Sequence, residues 1–177
     1  MDDDTILIIK EKIAIPYRTI VSVKTTAANE DKDEVQTFNW TRLPCEKYSL
    51  ILFEQLKSVG FIANDTDINI FNNAFNGSWQ KKPLAIKWID LVKNKKYTNK
   101  HSLFYLLNEL AAKNLIHEDT DNPTFLRKIK FIFYDKNGKE LKNLKVSNST
   151  SAKLPNKKNK SKSISSIDKI IDLLLKT

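Results

Sequence analysis

The sequence predicts an α+β protein, mainly α-helical, made of tandem winged-helix-like modules with a short N-terminal strand pair and a C-terminal helix. Three observations support this class. Apolar residues recur at helical spacing in 47–59, 99–113 and 164–175. A twelve-residue phrase is nearly repeated within the chain, and β-branched residues cluster near the N-terminus. With 177 residues, the chain can form one sizeable domain or two small ones.

The N-terminal segment, residues 1–37, is predicted to hold two short strands and an acidic loop. "TILII" (5–9) and "YRTIVSVKT" (17–25) are rich in β-branched residues, and Pro16 separates them. Residues 26–36 are polar and charged, which is typical of a loop.

The repeated phrase is "GFIANDTDINIF" (60–71) and "NLIHEDTDNPTF" (114–125). Each copy follows an amphipathic helix, and Gly60 and Asn114 stand where a left-handed residue closes a helix. Further upstream, "FNW" ends at Trp40 and "IKW" ends at Trp88. Two amphipathic helices can resemble each other by chance, but the shared order of elements favours a tandem duplication. The predicted modules are 38–79 and 80–146.

The repeat also predicts which of the three tryptophans lie in the core. Trp40 and Trp88 occupy matched positions beside apolar residues, which predicts that both are in the core. Trp79 lies between the copies and is less constrained; stacking on a base is the alternative use of such a ring.

The second module is predicted to end in a β-hairpin wing. "KIKFIFY" (128–134) alternates lysine with apolar residues, "DKNG" follows it, and "KELKNLKV" supplies a return strand. Residues 147–163 are then predicted to be a basic linker, because their composition cannot bury much surface.

The C-terminal helix, 164–177, carries an apolar stripe of Ile164, Ile167, Ile171 and Leu174. Something must cover this stripe. The sequence leaves open the body of the chain, a second copy in a homodimer, or a protein partner.

Composition favours a partner of negative charge. The formal charge is +9, and residues 1–36 contribute −3 to it. Such an asymmetry suggests nucleic acid, although a lysine-, asparagine- and isoleucine-rich composition also follows from an AT-rich genome. The acidic start and the lack of a long apolar run predict a cytoplasmic protein with no membrane partner.

Enzyme chemistry is not indicated. Cys45 is the only cysteine, and the two histidines, His101 and His117, have no third ligand or nucleophile suggested near them. "DTDIN" begins like a calcium loop, but Ile70 stands where Gly is needed and Asn76 where Glu is needed. We therefore expect no cofactor, no metal and no catalytic residue, and interpret the DTD carboxylates as helix caps.

DNA binding by the second module is the leading hypothesis. In a winged helix, a helix enters the major groove and the hairpin touches the backbone. Residues 81–100 carry seven lysines and one acid. The predicted phosphate contacts and groove-facing side chains are Lys93, Lys95, Lys96, Asn99, Lys100, His101, Tyr105, Asn108, Lys113, Lys128, Lys130 and Lys136.

Base readout is expected to be limited. The chain has only three arginines, and arginine is the usual reader of guanine. Binding should therefore depend on contacts between lysine and phosphate.

The second copy resembles a loose group of Bacteroidetes proteins that includes RteC-type regulators of mobile elements. The residues that carry the resemblance are "IKW" (86–88), "NKHSLFYLLNEL" (99–110) and the segment leading to "SSIDKIIDLL". The resemblance implies a winged-helix, DNA-binding regulator.

The rival hypothesis is a protein-interaction or adaptor module with no nucleic-acid role. In that case the lysines would be dispersed and an apolar patch would be exposed, whereas DNA binding predicts lysines grouped on one side.

Overall fold

The computed structural model describes residues 34–94, 96–145 and 161–177. These residues fall within one compact unit, Asp33–Thr177. The predicted N-terminal strand pair and most of the predicted basic linker lie outside the described residues. The described part is α+β and mainly helical, as predicted.

Five helices and four two-residue strands are assigned in these ranges. The helices are α1 (Cys45–Ser58), α2 (Ile68–Phe75), α3 (Lys100–Ala112), α4 (Pro123–Ile132) and α5 (Lys162–Lys176). The strands are β1 (Val35–Gln36), β2 (Trp79–Gln80), β3 (Ile86–Lys87) and β4 (Phe133–Tyr134). β1 pairs antiparallel with β2, and β3 pairs parallel with β4.

Helices α1 and α3 end in the same way, as the repeat predicts. Gly60 has a φ of 72° and Asn114 a φ of 53°, so both adopt the left-handed conformation. The predicted helical segment 47–59 is one residue too long: Val59 is exposed, because it already belongs to the closing turn rather than to the helix.

The two copies exchange backbone contacts. The Thr41 amide donates to the Leu115 carbonyl, and the Ile89 amide donates to the Phe61 carbonyl. His117 N likewise bonds Asn39 O, while Ala63 N bonds Lys87 O. In each pair, the segment around the tryptophan of one copy meets the segment after the helix of the other. The copies are therefore interlocked around one core.

Both tryptophan predictions for the core are confirmed. Trp40 and Trp88 are buried, and each indole Nε1 donates to a buried serine on the following helix. Trp40 bonds Ser49 at 2.8 Å and Trp88 bonds Ser102 at 3.2 Å. These bonds satisfy the only polar atom of each buried indole side chain.

The caps of α2 and α4 differ from the expectation in one copy. Asp67 caps α2, accepting hydrogen bonds from the amides of Asn69 and Ile70, as predicted. In the second copy Asn122 caps α4 instead, and Pro123 follows it at the first helical position. The expected cap from the second DTD is therefore wrong, because this helix begins one residue later relative to the repeat.

The predicted strand over 128–134 is mostly wrong. Residues 128–132 complete α4, and only Phe133 and Tyr134 are extended. Phe125, Ile129 and Ile132 are buried on one side at a spacing of four and three residues, which fits a helix better than an alternating strand. The turn at 135–139 forms, and Tyr134 makes an antiparallel bridge with Glu140.

Helix α5 covers its own apolar stripe by packing on the body of the chain. Ile164, Ile167, Ile171 and Leu174 are all buried. The Tyr105 hydroxyl on α3 donates to Asp168 on α5 at 2.7 Å. Near the other end of α5, Arg42 Nη1 lies 3.5 Å from the Leu175 carbonyl. Of the three possibilities left open by the sequence, the structure shows docking in cis.

Candidate nucleic-acid interface

Lysines of three neighbouring segments form a basic region. We define it by Lys93, Lys96, Lys100, Lys136, Lys139 and Lys142. Two contacts bring the segments together: Thr98 Oγ1 accepts from the Lys136 amide at 3.0 Å, and Lys100 Nζ donates to the Lys142 carbonyl at 2.7 Å. The loop before α3, the start of α3 and the turn after β4 therefore lie side by side.

Acidic side chains close to the basic region already have partners. Asp90 accepts from the side chains of Ser102, Asn99 and Ser163. Asp135 accepts from two amides of its own turn, and Glu140 pairs with Lys130 at 3.0 Å. Hydrogen bonds from neutral groups do not cancel the charges of Asp90 and Asp135, but the six lysines of the basic region outnumber these two carboxylates, so the local potential is positive.

The charge difference between the copies is large. Residues 38–79 hold three basic and four acidic side chains, whereas residues 80–146 hold fifteen and seven. The first copy has a net charge of −1 and the second a net charge of +8. An anionic partner would therefore be attracted to the second copy.

The structure contradicts the expectation that α3 presents a groove-facing side. Ser102 to Leu107 are all buried, because α3 packs between the core and α5. Tyr105, predicted to face DNA, is buried and bonded to Asp168; its burial and this hydrogen bond raise the pKa of its hydroxyl. That assignment is wrong.

The two asparagines predicted to face DNA are also held within the fold. Asn99 caps α3 by accepting from the Ser102 amide, and its Nδ2 donates to Asp90 at 2.9 Å. Asn108 is only partly exposed and its Oδ1 is buried. Neither side chain projects freely from the helix, so the role of adenine reader is not supported for them.

The remaining predicted residues divide into three groups. Lys128 is largely buried, where it pairs with Glu118 and lies 5.8 Å from the Phe38 ring centroid, so its predicted DNA contact is wrong. His101 on α3 is half-buried, and Lys113 is exposed beyond the end of α3. Lys95 lies outside the described residues.

Sequence reasoning missed three exposed residues of this region: Tyr97, Lys139 and Lys142. The signal that could have found Tyr97 is the difference in length between the copies. The indole-bonded serine follows its tryptophan by nine residues in the first copy and by fourteen in the second. The five additional residues are accommodated in the loop before α3.

Other candidate sites are weaker. Within the described ranges, no group of three or more His, Cys, Asp or Glu side chains could hold a metal ion. A cavity of about 140 Å³ lies beside α2, and Lys87 and Asp65, which form an ion pair 3.0 Å long, are among the residues that line it. In the same described part of the chain, no helix is long and apolar enough to cross a membrane.

Comparisons of the chain with protein-family models, with curated proteins and with solved structures find no match.

Proposed function

We propose that this chain is a non-enzymatic DNA-binding protein with a regulatory role, in which the second copy holds the phosphate backbone. The observation that carries the proposal is the basic region, where lysines from three segments lie side by side. The resemblance to RteC-type regulators supports the regulatory part of the proposal.

Lysine ammonium groups suit this role as point charges. They bind phosphates without a fixed orientation, and each contact releases counterions from the DNA. Arg42 and Arg127 donate instead to backbone carbonyls of Leu175 and Glu34. The expected binding is therefore strongly dependent on salt and weakly dependent on sequence.

The contact is made by loops in this proposal. Because α3 is buried, the DNA meets the loop before α3 and the turn at 135–139, which takes the place of the wing. This turn is held by Asp135, whose carboxylate accepts from the amides of Asn137 and Lys139. A preformed turn binds with a smaller loss of conformational entropy than a flexible one.

The test is the salt dependence of affinity for a short DNA duplex, measured by fluorescence anisotropy. Replacing Lys93 and Lys96 with Ala should reduce the log–log slope by about 2, since each neutralised phosphate contributes about 0.9. Affinity at low salt should fall as well.

A matched control removes the same charge elsewhere. Lys47 Nζ lies 3.5 Å from the Thr177 carbonyl, at the C-terminal end of α5, and Lys176 is in the last turn of that helix. Ser163, near the other end, bonds Asp90 beside the basic region. A 15-residue helix is about 22 Å long, so Lys47→Ala/Lys176→Ala should leave the slope unchanged. Equal effects of both double variants, or no binding at low salt, would contradict the proposal.

The adaptor function is the second candidate, and one observation favours it. Leu43 is 82% exposed just before α1, and Leu50 is 49% exposed on α1. Both are large apolar side chains of the first copy that the fold leaves exposed, and exposed apolar surface is typical of an interaction site. Loss of a protein partner from a Leu43→Ser/Leu50→Ser variant that still binds DNA would assign the two activities to different copies.

A further inference from the structure

The loop before α3 has no counterpart in the first copy. We define it as the basic loop, residues 92–94 and 96–97. Its ends are fixed: Leu91 and Thr98 form an antiparallel bridge, and the Val92 amide donates to the Tyr97 carbonyl at 3.0 Å. In the first copy, α1 begins only five residues after Trp40. The inserted residues thus form a structured projection of the second copy.

Tyr97 presents its ring outside this anchored backbone. Its neighbour Thr98 is buried and bonded to the Lys136 amide, whereas Tyr97 itself is 59% exposed. The tyrosines on α1 and α3, Tyr48 and Tyr105, are buried instead. The Tyr97 ring is therefore accessible to a ligand, and the groups around it decide which chemistry it can meet.

The surroundings of the ring indicate the chemistry of that ligand. Lys96 Nζ lies 5.3 Å from the Tyr97 ring centroid, and Lys93 is exposed on the same loop. An aromatic face next to ammonium groups matches a base stacked on the ring with its phosphates beside the lysines. A base inside a duplex has both faces covered by its neighbours, so away from the duplex ends only an unpaired base can offer such a face.

We propose that Tyr97 stacks on an unpaired base, so that the basic region prefers DNA with a single-stranded segment. This inference rests on the proposed DNA binding and adds the kind of DNA. Recognition through a ring face tolerates every base, which agrees with the limited base readout expected of a chain with three arginines.

Trp79 supplies a control on the same protein. It is 63% exposed, but it lies on β2, beside Lys81, which pairs with Glu34 at 3.2 Å. Its contribution to DNA affinity should be negligible, although its ring is the larger of the two.

The experiment compares a single-stranded oligonucleotide with a duplex of the same length, by fluorescence anisotropy on the full chain. Tyr97→Ala should weaken single-strand binding by about tenfold or more and duplex binding by less than about twofold. Tyr97→Phe should keep the affinity, because stacking needs the ring and not the hydroxyl. Trp79→Ala should change neither value. Circular dichroism and a thermal melt confirm that each variant is folded.

The outcomes separate the two proposals. If Lys93→Ala/Lys96→Ala weakens binding but Tyr97→Ala acts equally on both DNA forms, the stacking inference is wrong and the proposed function stands. A loss in Tyr97→Phe as large as in Tyr97→Ala also overturns stacking. If none of the variants changes DNA binding, the proposed function fails as well.

Discussion

The two copies share one framework of hydrogen bonds but differ in charge at a matched position. Trp40 and Trp88 make the same indole-to-serine bond, and the copies exchange the same backbone contacts. Two residues after each tryptophan, however, the first copy has Arg42 and the second has Asp90. The hydrogen bonds that hold the core are thus the same in both copies. The side chains differ at Arg42 and Asp90, which lie at the edge of the core.

This difference in sign has a structural reason in α5. Asp90 accepts from Ser163 in the first turn of α5, and Arg42 lies against the Leu175 carbonyl in its last turn. A helix carries partial positive charge at its N-terminus and partial negative charge at its C-terminus. Each copy therefore offers the complementary charge to the end of α5 that it meets. An exactly symmetric pair of copies could not favour one direction of this helix.

The largest expected effect tests whether the copies form one core. Trp88→Ala and Trp40→Ala should each reduce the free energy of unfolding by about 3–5 kcal/mol, because each leaves a cavity in the core and removes a buried hydrogen bond to a serine. Unfolding in urea, followed by circular dichroism, should remain a single transition in both variants. Trp79→Ala, at an exposed site, should change the value by less than about 0.5 kcal/mol.

If either tryptophan variant instead unfolds in two steps, with about half of the helical signal retained, the copies are independent and the interlocked core is wrong. Should an alanine variant be too unstable to purify, Trp88→Phe provides a milder test, since it removes the Nε1 bond to Ser102 and keeps most of the volume.

An intermediate effect is expected from the Glu118–Lys128 pair, which only the second copy has. The side chains of Glu118 and Lys128 are 4% and 14% exposed, and the residue matching Lys128 in the first copy is the buried Ala74. Lys128→Ala should cost about 3 kcal/mol, because it leaves a carboxylate buried without its counter-charge. Lys130→Ala, which breaks an exposed pair, should cost less than about 1 kcal/mol.

The cost of Lys128→Ala should depend on pH in a direction that the pKa of Glu118 determines. Burial raises the pKa of the Glu118 carboxyl, and the Lys128 ammonium opposes that rise. Without Lys128 the pKa should rise further, so the folded variant binds a proton more tightly than the unfolded chain. The deficit in the variant's free energy of unfolding, relative to the parent protein, should therefore shrink as the pH falls from about 8 to about 5. A deficit that is constant over this range would show that Glu118 is not buried as a lone carboxylate.

The smallest effect concerns the ends of α5. Asp90→Asn should cost about 1–2 kcal/mol, because Asp90 accepts three side-chain hydrogen bonds and faces a helix N-terminus. Arg42→Gln should cost about 0.5 kcal/mol or less, since its contact with Leu175 is long and partly exposed. Equal costs, measured by urea unfolding, would mean that the ends of α5 are held by packing alone.

The sequence was informative where local chemistry decides the structure. Gly60 and Asn114 marked the ends of α1 and α3, because few residues adopt a positive φ at low cost. The repeat placed both tryptophans in the core. The strand predicted over 128–134 failed because alternating lysines in a short apolar run fit either period, and the stronger signal was the Asn122 cap followed by Pro123.

The candidate site was harder to predict, because long-range contacts decide which side chains are available. Nothing near Tyr105 in the sequence indicates Asp168, sixty-three residues later, which bonds it. The sequence places Lys128 in a basic wing, whereas in the structure Lys128 forms an ion pair with Glu118. Lysines that are distant in the sequence, in contrast, are brought together by the contacts of Thr98 with Lys136 and of Lys100 with Lys142. Such contacts depend on the tertiary fold, which periodicity does not specify.

The exchanged backbone contacts have a consequence for the origin of the chain. A protein with a single copy would have a tryptophan segment and a segment after its helix, each without the partner that the other copy now supplies. Two such chains could complete each other in a two-fold dimer by the same contacts. The interlocked pair is therefore the arrangement expected from fusing two copies of a homodimer's gene. Only a single chain can give its two halves different residues, as it does with Arg42 and Asp90 at their shared position.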